Sequence, residues 1–223
     1  MKNVLILLSV LFLLTFPGNA LADTVDDLAK KLDSYDWNVQ ISAIEELGKI
    51  GDEKAAGVLF HFIYRKGENW RLKVRALQLL GEIQDPWVAD KLVSVFNNPF
   101  LNDECPALKW NTAVAIGKRF NKGSRAVEAL INALDYNNLL IREVAIQSLG
   151  KIGDPAAASH LIPALSDKRF AIKYSAIKAL ENIGGPEAIP FIKTIADTDH
   201  DAFLRAEAMK AIKKISARIE TRQ

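Results

Sequence analysis

The chain has 223 residues, and 49% of them are hydrophobic, which is sufficient for a sizeable core. Its 29 Lys and Arg residues nearly balance 27 Asp and Glu residues, so the overall charge gives no reason to expect a nucleic acid or a strongly acidic partner. Cys105 is the single cysteine, which excludes a disulfide bond within the chain. We expect its thiol to be buried and inert, with an intermolecular disulfide or a reactive thiol as the alternative.

Residues 1–22 have the pattern of a secretory signal peptide. An apolar run from Val4 to Phe16 follows a basic residue, and Ala20-Leu21-Ala22 has the small residues of a cleavage site. The run is shorter than the roughly 20 residues of a membrane-spanning helix. We therefore expect cleavage after Ala22, export to the bacterial periplasm, a mature domain of residues 23–223 and no stable membrane insertion. An uncleaved anchor is the alternative.

The stretch from Ile141 to Pro155 predicts one amphipathic helix, a tight turn and the start of another helix. Its apolar residues are spaced by four, four and three, which places them on one helix face: Ile141, Ala145, Leu149 and Ile152. Gly153 can close the helix in the left-handed conformation. Asp154 can cap the next helix, with Pro155 at its first position. The pattern is typical of an antiparallel helix pair.

This unit recurs six times, at intervals of 31 to 36 residues. The recurrence is clearest at one reference position, which is occupied in turn by Gly48, Gly81, Gly117, Gly150, Glu181 and Lys213. Five residues earlier each copy has a small residue, namely Ala43, Ala76, Thr112, Ala145, Ala176 and Ala208. A small residue between large ones lets neighbouring helices approach closely.

A second set of helices is predicted between these copies, each with its own apolar stripe: about 23–34, 53–64, 86–96, 124–134, 155–165 and 186–196. Residues 97–103 form an insertion that we expect to be an irregular loop. One helix pair cannot bury both of its faces, but stacked pairs build a continuous core. The sequence therefore predicts an all-α fold, an α-solenoid of about six antiparallel helix pairs in a single domain.

These copies resemble HEAT repeats of the short type first named for phycobilisome-lyase proteins, over about residues 23–219. The resemblance is carried by Val/Ile-Arg, then Ala, then Leu-Gly-x-Ile-Gly-Asp-Pro, as in Val74-Arg75-Ala76 and in Ile141-Arg142 with Leu149 to Pro155. It implies a superhelix with the second helix of each pair on the concave side. The family includes scaffolds and a few enzymes, so the resemblance specifies architecture more closely than chemistry.

A basic residue stands eight positions before the reference in five copies, as Lys73, Lys109, Arg142, Lys173 and Arg205, with Gln40 in the first copy. The resemblance implies that this column bonds to acidic or carbonyl groups of the adjacent turn. A ligand-binding basic stripe is the alternative.

Positions seven and three before the reference lie opposite the core stripe, so they are candidates for a partner-binding groove. In the middle of the row these are Val74, Gln78, Trp110, Val114, Glu143, Gln147, Tyr174 and Lys178. Aromatic anchors in a polar surround are typical of binding surfaces. The alternative is that Trp110 and Tyr174 fill gaps between repeats. We expect such packing for Trp37, Trp70 and Phe170, at the starts of second helices.

Catalytic and metal-binding residues are not predicted. His61, His160 and His200 lack the spacing of a metal site. Residues 197–201 lack the following Gly and the closing Glu of a calcium loop, so a turn with a capping Asp is expected there. We expect no cofactor and no metal.

Together these patterns predict an exported, non-catalytic scaffold or adaptor that binds a protein or peptide along its concave face, and no nucleic acid. The alternative is a lyase-like enzyme or enzyme-associated subunit of the phycobilisome-lyase group. An enzyme would require two or more titratable groups that converge on a deep cleft. The oligomeric state is left open.

Export makes a direct prediction about the N-terminus of the protein in cells. Because signal peptidase cuts after small residues in this arrangement, protein purified from the cell envelope should begin at Asp23. Mass spectrometry of the intact protein measures this. An envelope protein that retains Met1 would contradict the predicted cleavage.

Overall fold

The computed structural model describes residues 17–119 and 125–221, and within these ranges the chain forms helices and turns without any strand. Residues 1–16, which hold the apolar run of the predicted signal peptide, lie outside the described residues. In the described part of the chain, no helix combines the length and the apolar character needed to cross a membrane.

Six helices correspond to the recurring unit, and we call them the second helices. They are α2 (Trp37–Ile50), α4 (Trp70–Leu80), α7 (Pro106–Arg119), α9 (Leu139–Ile152), α11 (Phe170–Ile183) and α13 (Ala202–Glu220). Each contacts the next along the chain, so together they form one continuous layer.

The first helices form a second layer. They are α1 (Pro17–Lys31), α3 (Glu53–Tyr64), α5 (Pro86–Phe96), α8 (Arg125–Asn132), α10 (Ala158–Leu161) and α12 (Ile189–Thr198). Short 3-10 turns adjoin the last three at Ala133–Asp135, Pro155–Ala157, Ile162–Ser166 and Pro186–Ala188. Each first helix packs on the second helix that follows it. The predicted all-α solenoid of six antiparallel pairs is therefore confirmed.

Three details differ from the sequence-based prediction. The first helix runs from Pro17 to Lys31, not over 23–34. The insertion contains a short helix, α6 (Pro99–Glu104), because the Asn98 side chain accepts a hydrogen bond from the Leu101 amide and caps it. The segment predicted as one helix over 155–165 is a 3-10 turn, α10 and another 3-10 turn, since Pro163 has no amide proton for the α-helical hydrogen bond.

Cleavage after Ala22 would leave the packing of α1 in place. Its buried residues Val25 and Leu28, and Leu32 directly after it, are fully enclosed by the core. All three lie beyond the predicted cleavage site. The predicted mature domain therefore keeps the apolar face with which α1 contacts α2 and α3.

The reference glycines lie where consecutive second helices touch. A Cβ atom added to Gly150 would lie only 2.6 Å from the Cα atom of Ala179 on α11. Gly48, Gly81 and Gly117 make similarly close contacts with Leu79, Ala115 and Ser148 on the next second helix. Only glycine permits helices to pack at this distance, so this column sets the spacing of the first five second helices.

A substitution at this column should weaken the fold even though it favours the helix. We expect Gly150→Ala to lower the free energy of unfolding by about 1–2 kcal/mol, because overpacking outweighs the gain in helix propensity of roughly 1 kcal/mol. Urea unfolding followed by circular dichroism measures this.

Gly57→Ala is the matched control, because Gly57 is also helical and an added Cβ would find its nearest neighbour, Trp87, at 4.0 Å. We expect this variant to be stabilised by up to about 1 kcal/mol. Equal stability of Gly150→Ala and the wild type would contradict the role of the close contact.

Candidate functional site

The predicted groove residues lie on four neighbouring second helices, α4, α7, α9 and α11, on the side turned away from the first helices. We call this side the second-helix face. Trp110 and Gln147 are exposed there. The other predicted residues are half-buried: Val74, Gln78, Val114, Glu143, Tyr174 and Lys178. The structure thus places the eight residues along one surface, while their role in binding stays a prediction.

Polar side chains connect α2, α4 and α7 across this face. The Arg75 guanidinium donates to both carboxylate oxygens of Glu45, at 2.5 and 2.9 Å. It also donates to the Gln78 side-chain oxygen at 3.3 Å, and the Gln78 amide donates to Asn111 at 3.3 Å. The hydrogen bonds from Arg75 hold the pKa of Glu45 below its ordinary value. Gln78 is thus held in place by its neighbours.

A second polar group connects α9 and α11. The Gln147 amide donates to Glu143 at 3.2 Å and to the Ser175 hydroxyl at 3.3 Å. Ser175 in turn donates to the same Glu143 oxygen at 3.5 Å. Two predicted groove residues are therefore oriented by each other and by the next helix.

Between these polar groups, α7 and α9 line an apolar cavity of about 420 Å³ that is open to solvent. Trp110 is 39% exposed at its wall, and Leu140 is 63% exposed. Pro106, Ala107 and Ile141 complete its apolar lining. A partner side chain of moderate size would find apolar contacts here on more than one side.

Three aromatic rings meet at the start of α11 and α13, and we call them the aromatic cluster. The centroids of Phe170 and Tyr174 are 6.0 Å apart, and Phe203 lies 6.1 Å from the first and 5.6 Å from the second. Phe170 is 45% exposed and Phe203 is 52% exposed. The cluster therefore offers an apolar surface to solvent.

One helical turn further along, charged groups of the same two helices form what we call the lysine network. Lys178 contacts Glu181 at 2.6 Å and Glu207 at 3.6 Å. Lys210 contacts Glu207 at 2.6 Å, and Lys214 on α13 pairs with Glu181 on α11. Both carboxylates are buried, whereas the lysines reach solvent.

The ion pairs in this network keep all three central groups charged. Desolvation disfavours the charged form of Glu181, but hydrogen bonds from Lys178 and Lys214 outweigh it and lower its pKa. The hydrogen bond from Lys210 lowers the pKa of Glu207 against the same opposing effect. Desolvation also opposes the charge of Lys178, yet its bond to Glu181 and the nearby Glu207 raise its pKa.

The aromatic residues at the starts of second helices are more exposed than we expected. Trp37 is 47% exposed, Trp70 is 43% exposed, and Phe170 is 45% exposed, so more than half of each side chain is packed as predicted while the rest faces solvent. Leu140 and Phe203 are exposed apolar residues that were not predicted as part of the site. Both stand ten residues before the reference position, where the other copies have small or polar residues. This difference between the copies indicates that the two residues have a role of their own.

The column of basic residues serves the structure at most of its positions. The Lys73 ammonium donates to the Arg65 carbonyl at 2.5 Å, and Lys173 pairs with Asp199. Arg205 donates to the Asp199 carbonyl at 2.7 Å. Gln40 makes the equivalent bond to the Leu32 carbonyl at 3.1 Å. These contacts confirm the predicted bonds to adjacent turns at four positions.

Two positions of this column depart from that pattern. The Lys109 ammonium lies 4.2 Å from the Tyr136 ring centroid and 5.1 Å from that of Phe96, so it makes cation–π contacts instead. The Arg142 Nε atom is buried and has no hydrogen-bond partner among the described residues.

Arg142 lines a cavity of about 570 Å³ with Asp135, His160 and Asp167, between the first helices of two neighbouring pairs. Asp167 already accepts hydrogen bonds from the Arg169 amide at 2.8 Å and its guanidinium at 3.0 Å, which fix the turn before α11. This cavity is separate from the predicted groove.

The structure also describes the stretch that resembles a calcium loop and the single cysteine. Asp201 accepts hydrogen bonds from the Phe203 and Leu204 amides, which confirms a capping Asp in the stretch that resembles a calcium loop. Cys105 is half-buried, whereas we expected it to be fully buried. Among the described residues, no group of three or more His, Cys, Asp or Glu side chains is placed to hold a metal ion.

The stacked helix pairs with capped turns define an α-solenoid repeat protein. A family model for HEAT repeats matches residues 25–99, 99–169 and 127–213. The chain therefore belongs to the HEAT-repeat family. A comparison with curated proteins found no match.

Solved structures share this fold at low sequence identity. The CpcE–CpcF complex of phycocyanin lyase from Nostoc sp. is 19% identical, with a TM-score of 0.57 over 84% of this chain and 75% of that chain. A designed armadillo repeat protein in complex with the peptide (KR)4 is 16% identical, with a TM-score of 0.55 over 86% of this chain and 99% of that one. An engineered protein is 17% identical, with a TM-score of 0.57 over 86% and 96%.

The lowered pKa of the buried Glu181 predicts how the stability of the fold changes at acid pH. Its pKa in the folded chain lies below the ordinary 4.5, so its contribution to stability is present above about pH 4.5 and is lost as the pH falls further. We expect Glu181→Gln to lose less stability than the wild type between about pH 6 and pH 3.5. Urea unfolding at each pH measures the difference. Glu128→Gln, at an exposed position of α8, is the control. Parallel pH curves for Glu181→Gln and the wild type would contradict the assignment.

Proposed function

We propose that the protein is an exported scaffold or adaptor that binds a protein or peptide partner along its second-helix face. The observation that carries this proposal is the alternation on that face of exposed apolar sites with fixed polar groups. The Trp110 cavity lies between the two hydrogen-bonded groups, and the aromatic cluster follows them. Buried anchors within a polar surround supply most of the binding energy in known interfaces.

The polar groups on this face support binding in a second way. Glu45, Arg75, Gln78, Glu143 and Gln147 are held by hydrogen bonds to each other or to the next helix. Side chains that are already ordered lose less conformational entropy when a partner arrives. The polar side chains of the second-helix face are therefore preorganised for binding.

The spacing of the anchors fits an extended segment. Trp110 lies on α7 and Tyr174 on α11, with α9 between them. Packed helices are roughly 8–10 Å apart, so the two anchors are separated by about two such steps. An extended chain advances about 3.3 Å per residue, so a peptide of about five or six residues would reach both.

The structural relatives are compatible with this proposal. One of them is a designed armadillo repeat protein in complex with a peptide, and another is the complex of CpcE and CpcF. The lyase-like alternative would instead use the cavity that Arg142 lines with Asp135, His160 and Asp167, but Asp167 there already accepts two hydrogen bonds that fix a turn. Export remains part of the proposal through residues 1–22.

Removing the anchors should abolish partner capture. We would use residues 23–223 as bait in an envelope extract and compare the wild type with Trp110→Ala, Tyr174→Ala and the double variant by quantitative mass spectrometry. We expect each single variant to recover at least about threefold less partner and the double variant to lose it, because truncating an anchor typically costs more than 1 kcal/mol.

Phe191→Ala is the matched control, because Phe191 is 51% exposed on α12 in the first-helix layer. This variant should recover the same partners as the wild type. If the double variant also recovers them unchanged, the second-helix face is not the binding surface.

A further inference from the structure

The aromatic cluster and the lysine network lie on the same two helices and form one surface, which we call the α11–α13 patch. On α11, Tyr174 precedes Lys178 by one helical turn, and on α13, Phe203 precedes Lys210 by two. Ring contacts and ion pairs both cross between the helices. One end of the patch is therefore apolar and the other is charged.

The charged end is positive. The lysine network contains three lysines and two glutamates, and the Arg218 guanidinium joins it by donating to the Glu181 carbonyl at 2.5 Å. Four basic and two acidic side chains leave an excess of two positive charges. Because the carboxylates are buried while Lys210 and Lys214 are 66% and 58% exposed, solvent meets mainly the ammonium groups. The balanced charge of the whole chain conceals this local excess.

We propose that the α11–α13 patch binds an acidic peptide segment that contains an aromatic or other large apolar residue. The apolar side chain lies on the aromatic cluster, and neighbouring carboxylates pair with Lys210 and Lys214. This inference rests on the proposed function, and it specifies the chemistry of the partner at one end of the face.

The dimensions of the patch constrain the segment. Seven helical residues rise about 10 Å, so Phe203 and Lys210 are separated by a distance that an extended peptide covers in about three residues. The acidic residues should therefore lie within a few positions of the apolar one. Complementary charge at such an exposed rim accelerates association and selects the partner.

A peptide fits this patch better than a nucleic acid does. The three rings are clustered at one end, whereas a single-stranded nucleic acid requires bases to stack along a basic groove. The chain as a whole also carries nearly equal numbers of acidic and basic residues.

Fluorescence anisotropy with a labelled synthetic peptide tests the proposal directly. The probe has two Phe residues flanked by Glu residues; a second probe has Lys in place of Glu, and a third is an oligo-dT strand. We expect the acidic probe to bind, the basic probe to bind at least about tenfold more weakly and the oligonucleotide to bind no better than the basic probe. Equal binding of both peptides, or tighter binding of the oligonucleotide, would overturn the proposal.

Two lysines provide a matched pair of variants. Lys210 is 66% exposed and pairs with Glu207 within α13, while Lys193 is 65% exposed and pairs with Asp197 within α12. Lys210→Glu should weaken the acidic probe at least about fivefold, and Lys193→Glu should leave it within about twofold of the wild type. Phe203→Ser should weaken binding by a similar factor without altering the salt dependence. Thermal melts confirm that each variant is folded, and equal effects of the two lysine variants would overturn the proposal.

Failure of the inference about acidic peptides can be distinguished from failure of the proposal that the second-helix face binds a partner. Trp110 lies on α7 and is not part of the patch. If Trp110→Ala loses its captured partner but the acidic probe does not bind, the second-helix face binds a partner and the inference about acidic segments is wrong. If Lys210→Glu weakens the probe while capture is insensitive to Trp110→Ala, the patch binds acidic segments and the longer groove is wrong.

Discussion

The rest of the structure depends on how closely consecutive second helices approach each other. At Gly48, Gly81, Gly117 and Gly150, the next helix occupies the space that a side chain would need. This contact explains why the repeat places a glycine between large apolar residues. It also fixes the distance between helices, and so it determines where the outward-facing side chains of each helix meet those of its neighbour. The hydrogen bonds between Arg75 and Glu45 and between Gln147 and Ser175 require that constant distance.

The fifth repeat breaks this rule, because Glu181 replaces the glycine. A buried carboxylate cannot remain unpaired in a core without a large cost in free energy. Lys178 and Lys214 therefore pair with it, and Arg218 bonds to its backbone. The glutamate at this one position thus bonds to two basic residues of α13, Lys214 and Arg218. The α11–α13 patch is a consequence of losing the glycine as much as of gaining the aromatic rings.

The sequence predicted the solenoid because its signals are local and repeated. Each second helix shows the same core spacing, and residues such as Ala76, Leu80, Ala145 and Leu149 are all fully buried. Turn residues such as Gly153 and Asp154 also act as expected, with φ 68° at the glycine and a hydrogen bond from the Ala156 amide to the carboxylate. The helix α6 was not predicted because its start depends on a single cap, at Asn98. The helix of the fifth pair is broken near Pro163, which lacks an amide proton, although the apolar spacing around it is that of a continuous helix.

The candidate site was predictable only in part. Helical spacing placed Trp110, Tyr174 and Lys178 on one surface, since that requires no knowledge of neighbouring helices. The exposure of Trp37 and Trp70, and the ion pairs that connect α11 with α13, depend on side chains about one repeat apart in sequence. Spacing along one helix cannot give such contacts. Leu140, Glu181 and Phe203 differ from the residues at the same positions of the other repeats. That difference is the sequence signal that indicates this part of the site.

The glycine contacts also give the molecule uneven mechanical properties. At the glycines between α2 and α11, the next helix leaves no room for a side chain, and such close contacts do not depend on the salt concentration. Between α11 and α13, long charged side chains hold part of the joint, and their attraction weakens with added salt where they are exposed. Added salt should therefore loosen the ion pairs between α11 and α13 more than the glycine contacts between the other second helices. A partner that binds across both regions would meet a rigid surface from α2 to α11 and a more adaptable one on α11 and α13.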